Sequence, residues 1–142
     1  MQLSANFTLA ELTATATGLP NTPGRTELAH LRALVVNVLQ PLRDELGQPV
    51  RVSSAFRSAA VNRAVGGVAS SQHRLGQAAD IHVPGMSSLA LARRIVALQL
   101  PFDQLIEEFG EWVHVSHAAR NRRQQLTAVR RAGVASYRPG LG

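Results

Sequence analysis

Two histidines, an aspartate and a glutamate in this chain have the types and spacing that metal-assisted hydrolysis requires. The stretch SSQHRLGQAADIH places His73 and Asp80 seven residues apart, with Gly76 between them. A later segment, EWVHVS, supplies His114. A mononuclear catalytic zinc site takes three protein ligands of N or O type and leaves one position open. His73 would come from a loop that Gly76 lets turn tightly, and Asp80 would open the strand DIHV. His114 would arrive from a second strand, with Trp112 on its face and Val113 and Val115 turned to the core. The chain has no cysteine, so a metal must be held by His, Asp or Glu. One zinc ion per chain is the expectation.

Glu111 is the expected general base beside that metal. A strand alone would turn it away from His114, so it must project from the loop end after Gly110. Glu107 and Glu108 stand next in line. Arg57, following RVSSAF, is a fixed positive donor for an oxyanion. His82 follows Asp80 by two residues, on the same strand face, and is a rival ligand. Each residue also has a plainer reading taken singly. His73 and His114 could be packed histidines, Arg57 a surface ion pair, and Asp80 an acceptor of backbone hydrogen bonds. His30 and His117 read as structural or exposed.

The elements that must position these groups are legible in the pattern. NFTLAEL starts a helix with Thr8 as cap and Glu11 at capping-box spacing. Over residues 26–46 the apolar positions recur at helical intervals, with Pro41 expected to kink the helix and Gly47 to end it. PVRVSSAF reads as a strand, residues 58–65 as a short helix, and AADIHV as a buried strand ended by Pro84. Ser87 or Ser88 caps another helix. FDQLIEEF and WVHVS are strands on either side of Gly110, and RQQLTAVRRAGVASYRPG is a hairpin turning near Ala132 and Gly133. The order predicts an α+β domain with helices on a mainly antiparallel sheet that carries the zinc site. One domain over residues 1–142 is expected: a helical part to about 48, a catalytic core to about 118, then the hairpin.

The net charge is +6, and all fifteen basic residues are arginine. Six of them lie between Arg120 and Arg138. That end suits an anionic envelope polymer, a membrane surface or nucleic acid, and equally a solvated face. No aromatic residue is interleaved before Tyr137 and no nucleic-acid motif is present, so no specific nucleic-acid partner is expected. No segment approaches membrane-spanning length, and the first residues have neither a basic start nor an apolar run. Synthesis in the cytoplasm without a signal peptide, as a monomer, is the expectation. Action on the cell wall would then need a separate membrane-breaching partner.

The run Ser71-x-His73-x6-Asp80, followed by Glu111-x-x-His114, resembles the zinc D-alanyl-D-alanine carboxypeptidases and related peptidoglycan peptidases. That group also holds lysostaphin and the hedgehog signalling domain. FTLAEL, the long helix, VNRAVGGVASSQHRLGQAADIHV and WVHVS occur in the family's order, covering nearly the whole chain, and resemble most the small phage and prophage members. The resemblance implies His73, Asp80 and His114 as zinc ligands, Glu111 as catalytic base, Arg57 on the scissile carbonyl and Ser71 on the substrate. With the ligand positions filled, His82 falls beside the metal or the substrate. The family's usual Ser-Gly-Tyr-Arg-Ser is here Ser54-Ala55-Phe56-Arg57-Ser58, so a tyrosine hydroxyl is missing. The implied activity is hydrolysis of stem-peptide amide bonds in peptidoglycan, as carboxypeptidase or endopeptidase, in a phage lysis enzyme. A non-catalytic zinc-bearing module that binds the cell wall is the alternative; it would need neither Glu111 nor Arg57.

Overall fold

The computed structural model describes all 142 residues. Helix α1 (Leu9–Thr13) starts on a complete capping box between Thr8 and Glu11. Helix α2 (Arg25–Leu34) runs through a π-turn (Val35–Leu39) into α3 (Gln40–Leu46). The kink expected at Pro41 takes this form for a definite reason. Pro41 has no N–H for the Asn37 carbonyl, and its ring crowds that carbonyl. The turn before it widens, and the Gln40 N–H reaches back to the Val35 carbonyl. Gly47 then ends the helix at φ 65°. Leu31, Leu34, Val35, Val38, Leu39 and Leu42 line the inner face of this unit and are fully buried. Burial of each such side chain contributes about 1.5–3 kcal/mol.

The remaining helices are α4 (Ala59–Ala64), capped by Ser58, and α5 (Ser88–Ala97), capped by Ser87. No helix is long and apolar enough to cross a membrane. Six strands form one sheet: β1 (Arg51–Ser54), β2 (Ala78–His82), β3 (Gln104–Glu108), β4 (Trp112–Ser116), β5 (Gln124–Arg131) and β6 (Val134–Pro139). Their spatial order is β1-β2-β4-β3-β5-β6, and every neighbouring pair is antiparallel except β3 with β5. The architecture is therefore α+β on a mainly antiparallel sheet, as the pattern predicts.

Alternation divides the sheet into two faces. Ala79, Ile81, Leu105, Val113 and Val115 join the helices in one apolar cluster. The opposite face carries polar chemistry in register. Ser54 pairs with Asp80, Asp80 with His114, His114 with Ile106 and Ile106 with Leu126. A second row runs from Trp112 to Glu108, Ala128 and Tyr137.

Two local devices hold the loops around that face. Gly76 lies at φ +74°, and a Cβ there would fall 2.5 Å from the Glu27 carbonyl oxygen. The loop carrying His73 thus passes hard against the first turn of α2. The second device is Asp103, whose carboxylate accepts from Nε and Nη2 of Arg122, both at 2.9 Å, and from Gln72. Those bonds, chiefly from Arg122, hold the Asp103 carboxyl down at about 2.

Gly76→Ala is expected to cost about 2 kcal/mol or more, since both the backbone region and the space forbid a side chain. Thermal melts should show a fall of roughly 5–10 °C, and an unchanged melting temperature would remove the close-approach argument. Asp103 makes a separate pH prediction. Its folded pKa lies below the ordinary carboxylate value of about 3.9, so its stabilisation is complete above that pH and fades as pH falls toward 2. Urea melts from pH 6 to 2 should show a smaller acid loss in Asp103→Asn than in the parent; parallel profiles would refute the linkage.

Candidate metal centre

His73 is carried by the loop between α4 and β2, and its orientation is fixed through the backbone. Its Nδ1 lies 2.7 Å from the Ala55 carbonyl. A carbonyl only accepts, so Nδ1 carries the proton and the Nε2 lone pair is free. That Nε2 lies 3.3 Å from Asp80 Oδ1. His114, directly opposite Asp80 across β2 and β4, places Nδ1 3.2 Å from the same oxygen. The two rings meet edge to face, with centroids 5.2 Å apart. All three side chains are buried or nearly so.

Donor atoms of His73, Asp80 and His114 lie within 4.8 Å of one another. Ligands about 2.0–2.1 Å from a tetrahedral zinc stand roughly 3.3 Å apart, and each histidine nitrogen stands at 3.2–3.3 Å from Asp80 Oδ1. Two neutral imidazoles and one carboxylate are also a donor set zinc accepts, so the residues fit one ion. Burial opposes the charge on Asp80, but the side-chain hydrogen bonds of His114 and His73 outweigh it. The carboxyl is held well below the ordinary range and remains ionised, as a ligand must be.

The group opens into a cleft of about 500 Å³ lined by residues from every part of the polar face. Arg57 reaches in with Nη2 3.5 Å from Asp80 Oδ2, while its Nε is held by Ser54 Oγ at 3.1 Å. Its backbone N–H donates to the His73 carbonyl, tying the arginine to the ligand loop. Ser71 lines the cleft, and its Oγ accepts from the His73 N–H. His82 is exposed at the end of β2, opposite Arg51, and is not among the cleft residues. Its strand face is that of Asp80, but the sheet carries it past the centre. His30 caps the Leu75 carbonyl at 2.7 Å, and so supports the ligand loop from α2.

Glu111 is not brought to the centre. Residues 109–111 form a three-residue loop closed by the Glu111 N–H on the Glu108 carbonyl, with Phe109 at φ 63° and Gly110 at φ 70°. The Glu111 side chain is 56% exposed and pairs with Arg130 at 3.1 Å. That guanidinium also stacks 3.7 Å over the Phe109 ring, so the loop is held from outside the cleft. The carboxylate that does face the metal group is Glu108, with Oε1 3.8 Å from His114 Nδ1. Burial, with the Asp80 charge, pushes its pKa up against the opposing pull of His114. Glu107 is buried on the opposite face, where it accepts from Ser88 Oγ at 2.6 Å.

Sequence reasoning ranked Glu108 behind Glu111, although one signal favours it. If the loop between the strands has three residues, Glu108 stands directly opposite Trp112 and shares its face with His114. Trp112, Arg122, Leu126 and Tyr137 are further cleft residues that motif spacing did not reveal. Trp112 Nε1 is buried there without a hydrogen-bond partner. Burial and the charges of Glu108 and Asp80 push the Tyr137 phenol up, so it is a neutral donor near neutral pH.

A three-donor centre set in a cleft on a sheet is an arrangement that metal-dependent hydrolysis can use. The family model of peptidase M15 matches residues 5–116, and the chain belongs to that family. The zinc D-Ala-D-Ala carboxypeptidase of Streptomyces albus G is 36% identical over 90 residues, 62% of this chain and 35% of that protein. The chain thus spans about a third of the length of the curated relative it matches. The chain therefore belongs to a peptidase family, and its His73, Asp80 and His114 side chains form a group that could hold one metal ion.

Purified protein should contain one zinc per chain by elemental analysis. His73→Ala and His114→Ala should each lower the metal content severely, because each removes one of three protein ligands. Full zinc occupancy in both variants would place the metal elsewhere.

Proposed function

We propose that the protein hydrolyses amide bonds of peptidoglycan stem peptides, with Glu108 as the general base and Arg57 as the oxyanion donor. The observation that carries this reading is the convergence of Glu108 and Arg57 on the His73, Asp80 and His114 donors from opposite sides of one cleft. The peptide substrate is suggested by the zinc D-Ala-D-Ala carboxypeptidase to which residues of this chain are similar. A lytic role toward a bacterial wall is the setting we assign to it.

His73, Asp80 and His114 would hold a zinc ion, which would supply Lewis-acid polarisation and a water of lowered pKa. The protein's own groups do the rest. Glu108 accepts a proton from the attacking water as its oxygen bonds to the carbonyl carbon. Glu108 then passes that proton to the amine as the C–N bond breaks. Arg57, clamped by Ser54 and Asp80, offers its guanidinium to the oxygen that becomes negative. The products are a new carboxylate and a free amine. Ser71 and Trp112, both in the cleft wall, hold the peptide chain. A non-catalytic zinc module would have no use for a half-buried carboxylate and an arginine turned toward the same donors.

Glu108→Gln should keep its zinc and lose at least about a hundredfold in rate on purified peptidoglycan, followed by mass spectrometry of released muropeptides. Glu111→Gln, by contrast, should stay near the parent rate, and Arg57→Ala should lose two to three orders of magnitude with zinc retained, on the order of one lost oxyanion donor. A fully active Glu108→Gln enzyme, or a dead Glu111→Gln one, would overturn the assignment. If the parent releases no stem-peptide fragment at all, the peptidoglycan reading itself fails.

A further inference from the structure

The cleft has a wall that lies outside the family-matched segment. Residues 5–116 match the peptidase M15 family, whereas β5 and β6 follow that segment and still reach the metal face. They do so because β5 runs parallel to β3, which sets Leu126 beside Ile106 and Ala128 beside Glu108. Antiparallel β6 then places Tyr137 opposite Ala128. Tyr137 therefore stands on the row of the sheet that carries Glu108, two strand spacings away, on the order of 10 Å between backbones. Its side chain lines the cleft together with His73, Asp80 and His114.

This ring does not behave as a packing residue. It is 55% exposed, and it belongs neither to the apolar core nor to the side chains packed against it. β6 is exposed along its whole length, so nothing in the fold calls for an aromatic residue at this position. Meanwhile the ligand-side segment Ser54-Ala55-Phe56-Arg57-Ser58 presents no phenol, and the Phe56 ring is buried. Val68, from the loop after α4, is a second exposed apolar side chain of the same cleft. An aromatic face with a neutral hydroxyl is suited to a peptide backbone, whose carbonyls accept hydrogen bonds and whose small side chains lie against the ring.

We propose that Tyr137 is a substrate-binding residue of this peptidase, contributed by the C-terminal hairpin, which holds the peptide flanking the scissile bond through its ring and hydroxyl. The proposal rests on the peptidase reading above. Two strand spacings separate Tyr137 from the base, so it touches the flank of the substrate and not the reacting carbonyl. Its contribution belongs to ground-state binding, which appears in KM and leaves kcat alone.

The test measures KM and kcat for a D-alanyl-D-alanine-terminated tripeptide with the zinc-loaded full chain. Tyr137→Phe should raise KM about 3- to 10-fold, the range for one lost neutral hydrogen bond, with kcat within twofold. Tyr137→Ala should raise KM further by removing the ring. Ser136→Ala, on the other face of the same exposed strand, should match the parent. Zinc content and far-UV circular dichroism should be those of the parent in all three. An unchanged KM in both Tyr137 variants overturns the proposal, as does a fall in kcat at constant KM. A KM rise shared by Ser136→Ala makes the effect one of hairpin integrity and overturns it too. If the parent cleaves neither this tripeptide nor peptidoglycan, the peptidase reading has failed and the proposal falls with it; an active parent with unaltered Tyr137 variants sinks this inference alone.

Discussion

Everything at the centre depends on the register between β2 and β4. Asp80 and His114 are direct partners across the two strands, and their side chains share one face. A slip of one residue would turn Ile81 or Val113 outward and drive a carboxylate or an imidazole into the apolar cluster. The cost of that alternative fixes the register. Ile81, Val113 and Val115 are fully buried, and burying an unpaired charge in their place costs several kcal/mol. The hydrophobic face of the sheet thus sets the geometry of the polar face, and ligand placement follows from core packing.

His73 is held differently, because no ladder fixes a loop. Its ring is set by the Ala55 carbonyl, its carbonyl by the Arg57 N–H, and its loop by the close approach of Gly76 to Glu27. Arg57 and His73 are tied through one backbone bond, so each helps to position the other. Around a single carboxylate, Asp80, the structure gathers one guanidinium and two imidazoles. A buried carboxylate is tolerated only with such partners.

The sequence made the helices, the strands and the three donor residues legible, since each rests on local periodicity, caps or paired spacing. The alternation of WVHVS, with Val113 and Val115 inward, sets His114 on the polar face, while its pairing with Asp80 is a matter of register between two strands. What could not be read locally was the hairpin loop after Glu108. Loop length decides which of two glutamates, three residues apart, faces the metal, and Phe109 adopts a left-handed conformation that its residue type does not advertise. Arg130, nineteen residues downstream, holds that loop by stacking on Phe109 and pairing with Glu111. Such a contact has no signature in spacing. The same is true of His82, whose strand face was correctly inferred but whose position along the strand lies beyond the cleft.

The arginine-rich end illustrates how composition misleads when it is read without partners. Arg122 is spent on Asp103, Arg123 on the Leu100 carbonyl and the Phe102 ring, and Arg130 on the loop of Glu111. Half of the apparent basic patch therefore works inside the molecule, fastening the chain after β4 and the hairpin beyond it to the sheet. That fastening has a functional consequence. The parallel pairing of β5 with β3 requires the chain to cross from the end of β4 back to the start of β3, and Arg122 and Arg123 anchor that crossing at Asp103 and Leu100. With the crossing fixed, β5 and β6 extend the polar face by two strands, and a shallow metal group on a four-stranded sheet becomes a walled cleft.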